Sequence, residues 1–81
     1  MNEYISLNQI KKGEAVTAVR VSGSSSTVRR LTDMGLVENS IIECVGRSPT
    51  GDPAAYLISG AVIAIRSADA QNIKVRRREN G

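Results

Sequence analysis

Arg29 and Arg30 stand side by side in Val28-Arg29-Arg30-Leu31-Thr32-Asp33-Met34-Gly35-Leu36, and the chemistry that two adjacent guanidiniums offer is recognition of anionic groups. On a short helix both cannot be buried, so at least one faces solvent or a partner. The rest of the chain adds little that could catalyse a reaction. It has no histidine and one cysteine, Cys44. The serines therefore lack a conventional base, and a zinc or iron–sulfur site lacks its soft ligands. Asp33, Glu38, Asp52 and Asp69 are scattered singly, without the alternating spacing that crowds oxygens around calcium. The glycines form neither a phosphate-cradling loop nor a dinucleotide fingerprint. An enzyme and a dedicated metal site are both disfavoured, and no cofactor is expected.

The two arginines need a helix to hold them, and the local pattern supplies one over Val28 to Met34. Gly35 suits the left-handed residue just past a helix end, and Leu36 then folds back onto Leu31, giving the cap its hydrophobic contact. Leu31, Gly35 and Leu36 are thus structural positions. Ser25, Ser26 and Thr27 are the candidate N-caps. Beyond the helix, Val37-Glu38-Asn39-Ser40 reads as a turn, because Asn39 tolerates positive φ better than any residue but glycine. The candidate partner surface is accordingly Arg29, Arg30, Asp33 and Met34 on the helix, with Glu38 and Asn39 on its following turn.

Around this helix the chain is β-rich. Eight Ile and eight Val outnumber four Leu, and there is no Phe or Trp, a β-branched excess that favours strands over a helical bundle. Met1 to Lys12 carries Tyr4, Ile5, Leu7 and Ile10 in a polar setting, either as an extended lead-in or as a short helical turn. Ala15 to Val21 reads as a strand whose apolar phase shifts between Val16 and Val19, which suggests a bulge or burial on both faces. A second strand runs from Ile41 to about Arg47 and ends at the Pro49-Thr50-Gly51-Asp52-Pro53 loop. Ala55 to Ile58 and Ala61 to Arg66 flank Ser59 and Gly60, the spacing of a tight hairpin, so Gly60 is structural as well. Ser67 to Ala70 is a single turn with Ser67 as its cap, and a short strand at Ile73 to Val75 closes the series. Five short strands with one helix inserted after the first predict a small, strongly bent barrel.

Residues 1–73 hold seven Lys or Arg and seven Asp or Glu, so the net charge of +3 comes from Lys74, Arg76, Arg77 and Arg78 less Glu79. The basic feature therefore reads as a tail, 76–81, serving solubility or a contact with acidic lipid or an acidic partner. Nucleic-acid binding is not expected, since single-strand readers use aromatic platforms and this chain has only Tyr4 and Tyr56 on a neutral body. Cys44 sits mid-strand as a buried, inert thiol and fits a reducing compartment. With no apolar leader and no run of about 20 apolar residues, the chain is cytosolic by default. At 81 residues it makes one domain, whose folding removes only about 60 to 65% of the unfolded surface.

Gly13 to Val21, Arg30-Leu31 to Gly35-Leu36, Gly51-Asp52-Pro53, Ile63-Ala64-Ile65-Arg66 and Asp69-Ala70 to Ile73 resemble, in this order and spacing, the FeoA family, ferrous iron transport protein A. The resemblance covers about residues 7–75. It departs where such sequences read Gly-Leu-x-Pro-Gly after the helix and this one has Glu38-Asn39. What it implies is an SH3-like β-barrel acting as a small cytosolic accessory of ferrous iron uptake, bound to the membrane transporter FeoB. Weak homo-oligomerisation and a peripheral position at the inner face of the cell membrane stay open. The alternative is a general small-barrel module for another protein or nucleic acid, similar to the C-terminal module of metal-dependent repressors.

Overall fold

The computed structural model describes residues 4–78. They form β1 (Tyr4–Ser6), β2 (Ala15–Val21), α1 (Ser25–Asp33), β3 (Ile41–Arg47), β4 (Ala54–Ile58), β5 (Ala61–Ile65), α2 (Ser67–Ala70) and β6 (Ile73–Arg77), with a 3-10 turn at Leu7–Gln9. The strands make one antiparallel sheet in the order β1-β6-β2-β3-β4-β5. Two expectations change. The sheet has six strands instead of five, and the helix follows the second strand instead of the first. Among the described residues β1 and β5 remain edges, so the pairing gives an open ladder and not a closed barrel.

Both changes have one cause. Residues 4–10 use both of the conformations left open for them: Tyr4–Ser6 extends and pairs with β6, and Leu7–Gln9 then coils, with Leu7 and Ile10 buried. Ile5 and Ser6 pair with Val75 and Lys74, within the expected last strand, and β6 then runs past Val75. Arg76 and Arg77, read from sequence as the start of a tail, are its last two residues, and Tyr4 lies opposite Arg76. Residues 79–81 of that tail lie outside the described residues.

Alternation does most of the work of building the core. Ile42 and Cys44 of β3, Tyr56 and Ile58 of β4, Ile63 and Ile65 of β5, and Ile73 and Val75 of β6 all point inward. The expected irregularity in β2 is a register shift between Ala18 and Arg20. The extra residue, Val19, lets Val16 and Ala18 face the core while Arg20 faces out. Ser59 and Gly60, both at positive φ, close the β4–β5 hairpin in two residues, as such a tight loop requires. The loop before β4 has a second role, since the Ser67 amide donates to Asp52 Oδ1 at 2.8 Å and so caps α2. Arg66 takes the N-cap position there, one residue before the expected Ser67.

Candidate protein-binding surface

Helix α1 starts earlier than its apolar pattern suggests. Its N-cap is Ser24, whose hydroxyl accepts from the Thr27 amide at 3.3 Å, so Ser25, Ser26 and Thr27 lie within the first turn. Four consecutive hydroxyl residues compete for the cap, and the first of them takes it. The other end follows the expected pattern. The Leu36 amide donates to the Leu31 carbonyl at 2.9 Å and the Gly35 amide to the Thr32 carbonyl at 3.0 Å, the two bonds of a Schellman cap. Gly35 has φ +105°, and Leu31 and Leu36 are both buried in the core.

The cap is locked from two further elements. The Gly35 carbonyl accepts from the hydroxyls of Ser40, at 3.0 Å, and Ser59, at 3.2 Å. Ser40 also accepts from the Val37 amide at 2.9 Å, and Asn39, at φ +75°, donates its amide to the Ala18 carbonyl at 2.8 Å. The helix end, the turn after it and the tip of the β4–β5 hairpin are therefore one rigid assembly. Ser40, Ser59 and the exposed Val37 were not singled out from sequence. Only the hairpin spacing hinted at Ser59, which meets Gly35 across 24 residues of chain.

The six candidate residues fall into two groups. Met34, Glu38 and Asn39 are exposed around the helix end, with Val37 beside them at 48% exposure. Arg29, Arg30 and Asp33 are exposed one turn back. With 3.6 residues per turn, Arg29 and Asp33 point roughly opposite the buried Leu31, straight into solvent. Arg30 is turned toward α2, where its Nη2 lies 3.6 Å from Asp69 Oδ2 in a partly exposed pair that contributes at most about 1 kcal/mol. Arg29 has no ion-pair partner among the described residues and is the freer of the two cations.

On the side of α1 facing β2 runs an open groove of about 630 Å³, floored by Val19, Val21, Val28 and Leu36 and rimmed by Tyr4, Arg20, Glu38 and Lys74. Cys44 is fully buried, with its Sγ 3.8 Å from the Gly46 carbonyl. Among the described residues no three carboxylate or thiol groups gather where a metal ion could be held. Glu14 is held below the ordinary carboxylate range: Arg77 Nε donates to it at 2.7 Å, and the Lys11 amide adds a second bond. Burial pushes the Tyr56 phenol up. Neither group adjoins the candidate surface, and no helix among the described residues is long and apolar enough to cross a membrane.

These elements define a small, mainly β module, and solved structures place its class. FeoA of Stenotrophomonas maltophilia in complex with zinc, described as a prokaryotic SH3 domain protein, superposes with a TM-score of 0.76 at 20% identity over 88% of each chain. A manganese-dependent transcriptional repressor shares the fold with a TM-score of 0.85 at 20% identity, over 96% of this chain and 44% of the repressor. The FeoA-like protein of Clostridium acetobutylicum matches with a TM-score of 0.87 at 28% identity, over 100% of this chain and 94% of its own.

The FeoA domain model matches residues 5–77, and the chain belongs to the FeoA family, which is associated with ferrous iron transport. A Porphyromonas gingivalis relative, an Fe(2+) transport protein A/Fe(2+) transporter FeoB fusion protein, is 32% identical over 69 residues. The match takes in 85% of this chain and spans only 8% of that relative's length.

Proposed function

We propose that this protein is a cytoplasmic accessory of the membrane ferrous iron transporter FeoB, working by binding and not by catalysis. In this reading one domain with a core at residues 7–75, its open sheet bent in the SH3-like manner, docks on the cytoplasmic part of the transporter. The contact uses Arg29, Arg30, Asp33 and Met34 of α1 with Glu38 and Asn39 of the turn. Self-association is weak, and nucleic acid is not a ligand. The observation that carries the reading is the relative in which both proteins are one polypeptide. Such a tether holds a module near its target at roughly millimolar effective concentration, which is useful where the free contact is modest. The rigid cap supports it further, since a surface fixed by four elements loses little entropy on docking.

Co-purification with the transporter's soluble domain, at low and high salt, tests the proposal. Arg29→Glu with Arg30→Glu is expected to keep the fold, because only the exposed Arg30–Asp69 pair is lost, and to weaken binding, because like charges across an interface cost several kcal/mol. Binding should also fade as the screening length falls from about 10 Å at 0.1 M salt to about 3 Å at 1 M. Salt-insensitive binding by the double variant at the wild-type level would remove the helix from the site. No binding by the wild type would end the proposal.

The shared fold of the manganese-dependent repressor supports a second reading, a general module for another protein or nucleic acid. Its nucleic-acid form is disfavoured because Tyr56 is buried and Tyr4 alone makes no stacking platform.

A further inference from the structure

Because β6 runs on to Arg77, the basic residues near its end are fixed on a sheet. Lys74 and Arg76 alternate with the buried Ile73 and Val75, so both project from the outer face. Arg20 of β2 lies directly opposite Lys74 and shares that face. On the other flank Ser6 lies opposite Lys74, and Tyr4, 54% exposed, lies opposite Arg76. Thr17 completes the second row beside Arg76, and the exposed Arg78 follows the strand. Among the described residues none of Arg20, Lys74, Arg76 and Arg78 has an ion-pair or hydrogen-bonded side-chain partner. Glu38 is the one carboxylate lining the adjacent groove, and it makes no ion pair there.

Like charges placed directly across a ladder are destabilising, so the Arg20–Lys74 pair costs the free protein something that an anionic surface would return. The occupant is indicated by shape as well as sign. The cations stand on the outer face of two neighbouring strands, β6 and β2, flanked only by small polar side chains, Ser6 and Thr17, and by the exposed Tyr4 on the edge strand β1. Basic side chains around an amphipathic ring are the composition that lies at a bilayer interface. We propose that the outer face of β1, β6 and β2, through Arg20, Lys74, Arg76 and Tyr4, rests on the anionic lipid of the membrane in which the transporter sits. The choice of membrane rests on the proposed function; the cationic face itself does not. A basic side chain near an anionic surface contributes about 1 kcal/mol, about fivefold in partitioning, so the face serves as a weak second attachment that orients the protein beside its transporter.

The test is co-sedimentation of the full chain with vesicles of phosphatidylcholine alone or with phosphatidylglycerol added, at low and high salt. No transporter is present, so the outcome is independent of that partnership. Binding is expected only to the anionic vesicles and only at low salt. Arg20→Gln with Lys74→Gln should lower it about 25-fold, at about fivefold per charge. Lys12→Gln with Arg66→Gln removes the same net charge from exposed positions elsewhere and should change it much less. Thermal melts establish that each variant is folded, and the single variant Lys74→Gln, about fivefold weaker, stands in if the pair is not. Absence of wild-type binding, equal losses for the two pairs, or binding to soluble polyglutamate but not to vesicles would overturn the membrane assignment. The last of these would point to an acidic protein segment instead.

Discussion

Replacing Gly35 with alanine tests the assembly on which the candidate surface is built. At φ +105° the residue lies outside the ordinary left-handed well, in a region that costs a side-chain-bearing residue about 1 to 3 kcal/mol. A Cβ there would sit 3.0 Å from both Cβ and Oγ of Ser59, so the hairpin tip must retreat by a few tenths of an ångström. That retreat strains the Ser59 hydroxyl's bond to the Gly35 carbonyl, a contribution of about 1 kcal/mol. Together the expected loss is about 2 to 4 kcal/mol, or about 8 to 32 °C in Tm at the 4 to 8 °C per kcal/mol typical of a chain this size. Urea denaturation reads it as a lower midpoint at unchanged slope. The same substitution in a Ser59→Gly background separates the two parts, since the clash is gone there and only the backbone strain of about 1 to 3 kcal/mol remains. A loss below about 0.5 kcal/mol would mean that the cap is not built as described. Equal losses in both backgrounds would mean that the Gly35–Ser59 contact carries nothing.

Leu31→Ala removes a side chain that is 1% exposed, and it should cost about 2 to 5 kcal/mol by equilibrium unfolding; an unchanged Tm would contradict the packing of α1. Glu14 gives a pH signature. Its folded pKa is depressed, so its stabilisation is present above the unfolded value of about 4.3 and is lost as pH falls through the folded one. Because the Glu14–Arg77 pair is partly exposed, screening limits the effect to below about 1 kcal/mol. Wild type should therefore lose its advantage over Glu14→Gln as pH drops from about 5 to 3, and parallel stability curves would refute the assignment.

What could be read from the sequence was mostly local. The Leu31–Gly35–Leu36 cap, the Ser59–Gly60 hairpin, positive φ at Asn39 and the irregularity at Val19 each depend on a few consecutive residues, and each appears in the structure. What escaped depended on distant neighbours. Tyr4–Ser6 is too short to announce a strand, and its pairing is decided by β6 at the far end of the chain. For the same reason a run of arginines read as a tail, although Lys74 and Arg76 alternate with Ile73 and Val75 as strand residues do. At the candidate site the sequence put both arginines at the surface, yet only the fold brings Asp69 to Arg30 and leaves Arg29 free of any ion pair among the described residues.

The central place of β6 also bears on how the chain is made. Synthesis runs from β1 to β6, yet β1 pairs only with β6, and β2 finds one of its two neighbours there. Until Ile73 to Arg77 have left the ribosome, β1 has nothing to bind and one edge of β2 is unsatisfied. The hairpin of β4 and β5, with β3 beside it, is complete earlier and can wait as a partly formed sheet. Completion of the sheet thus waits for β6. A stop codon before Ile73 would not trim the protein but leave its first strand without a partner and its core without Ile73 and Val75.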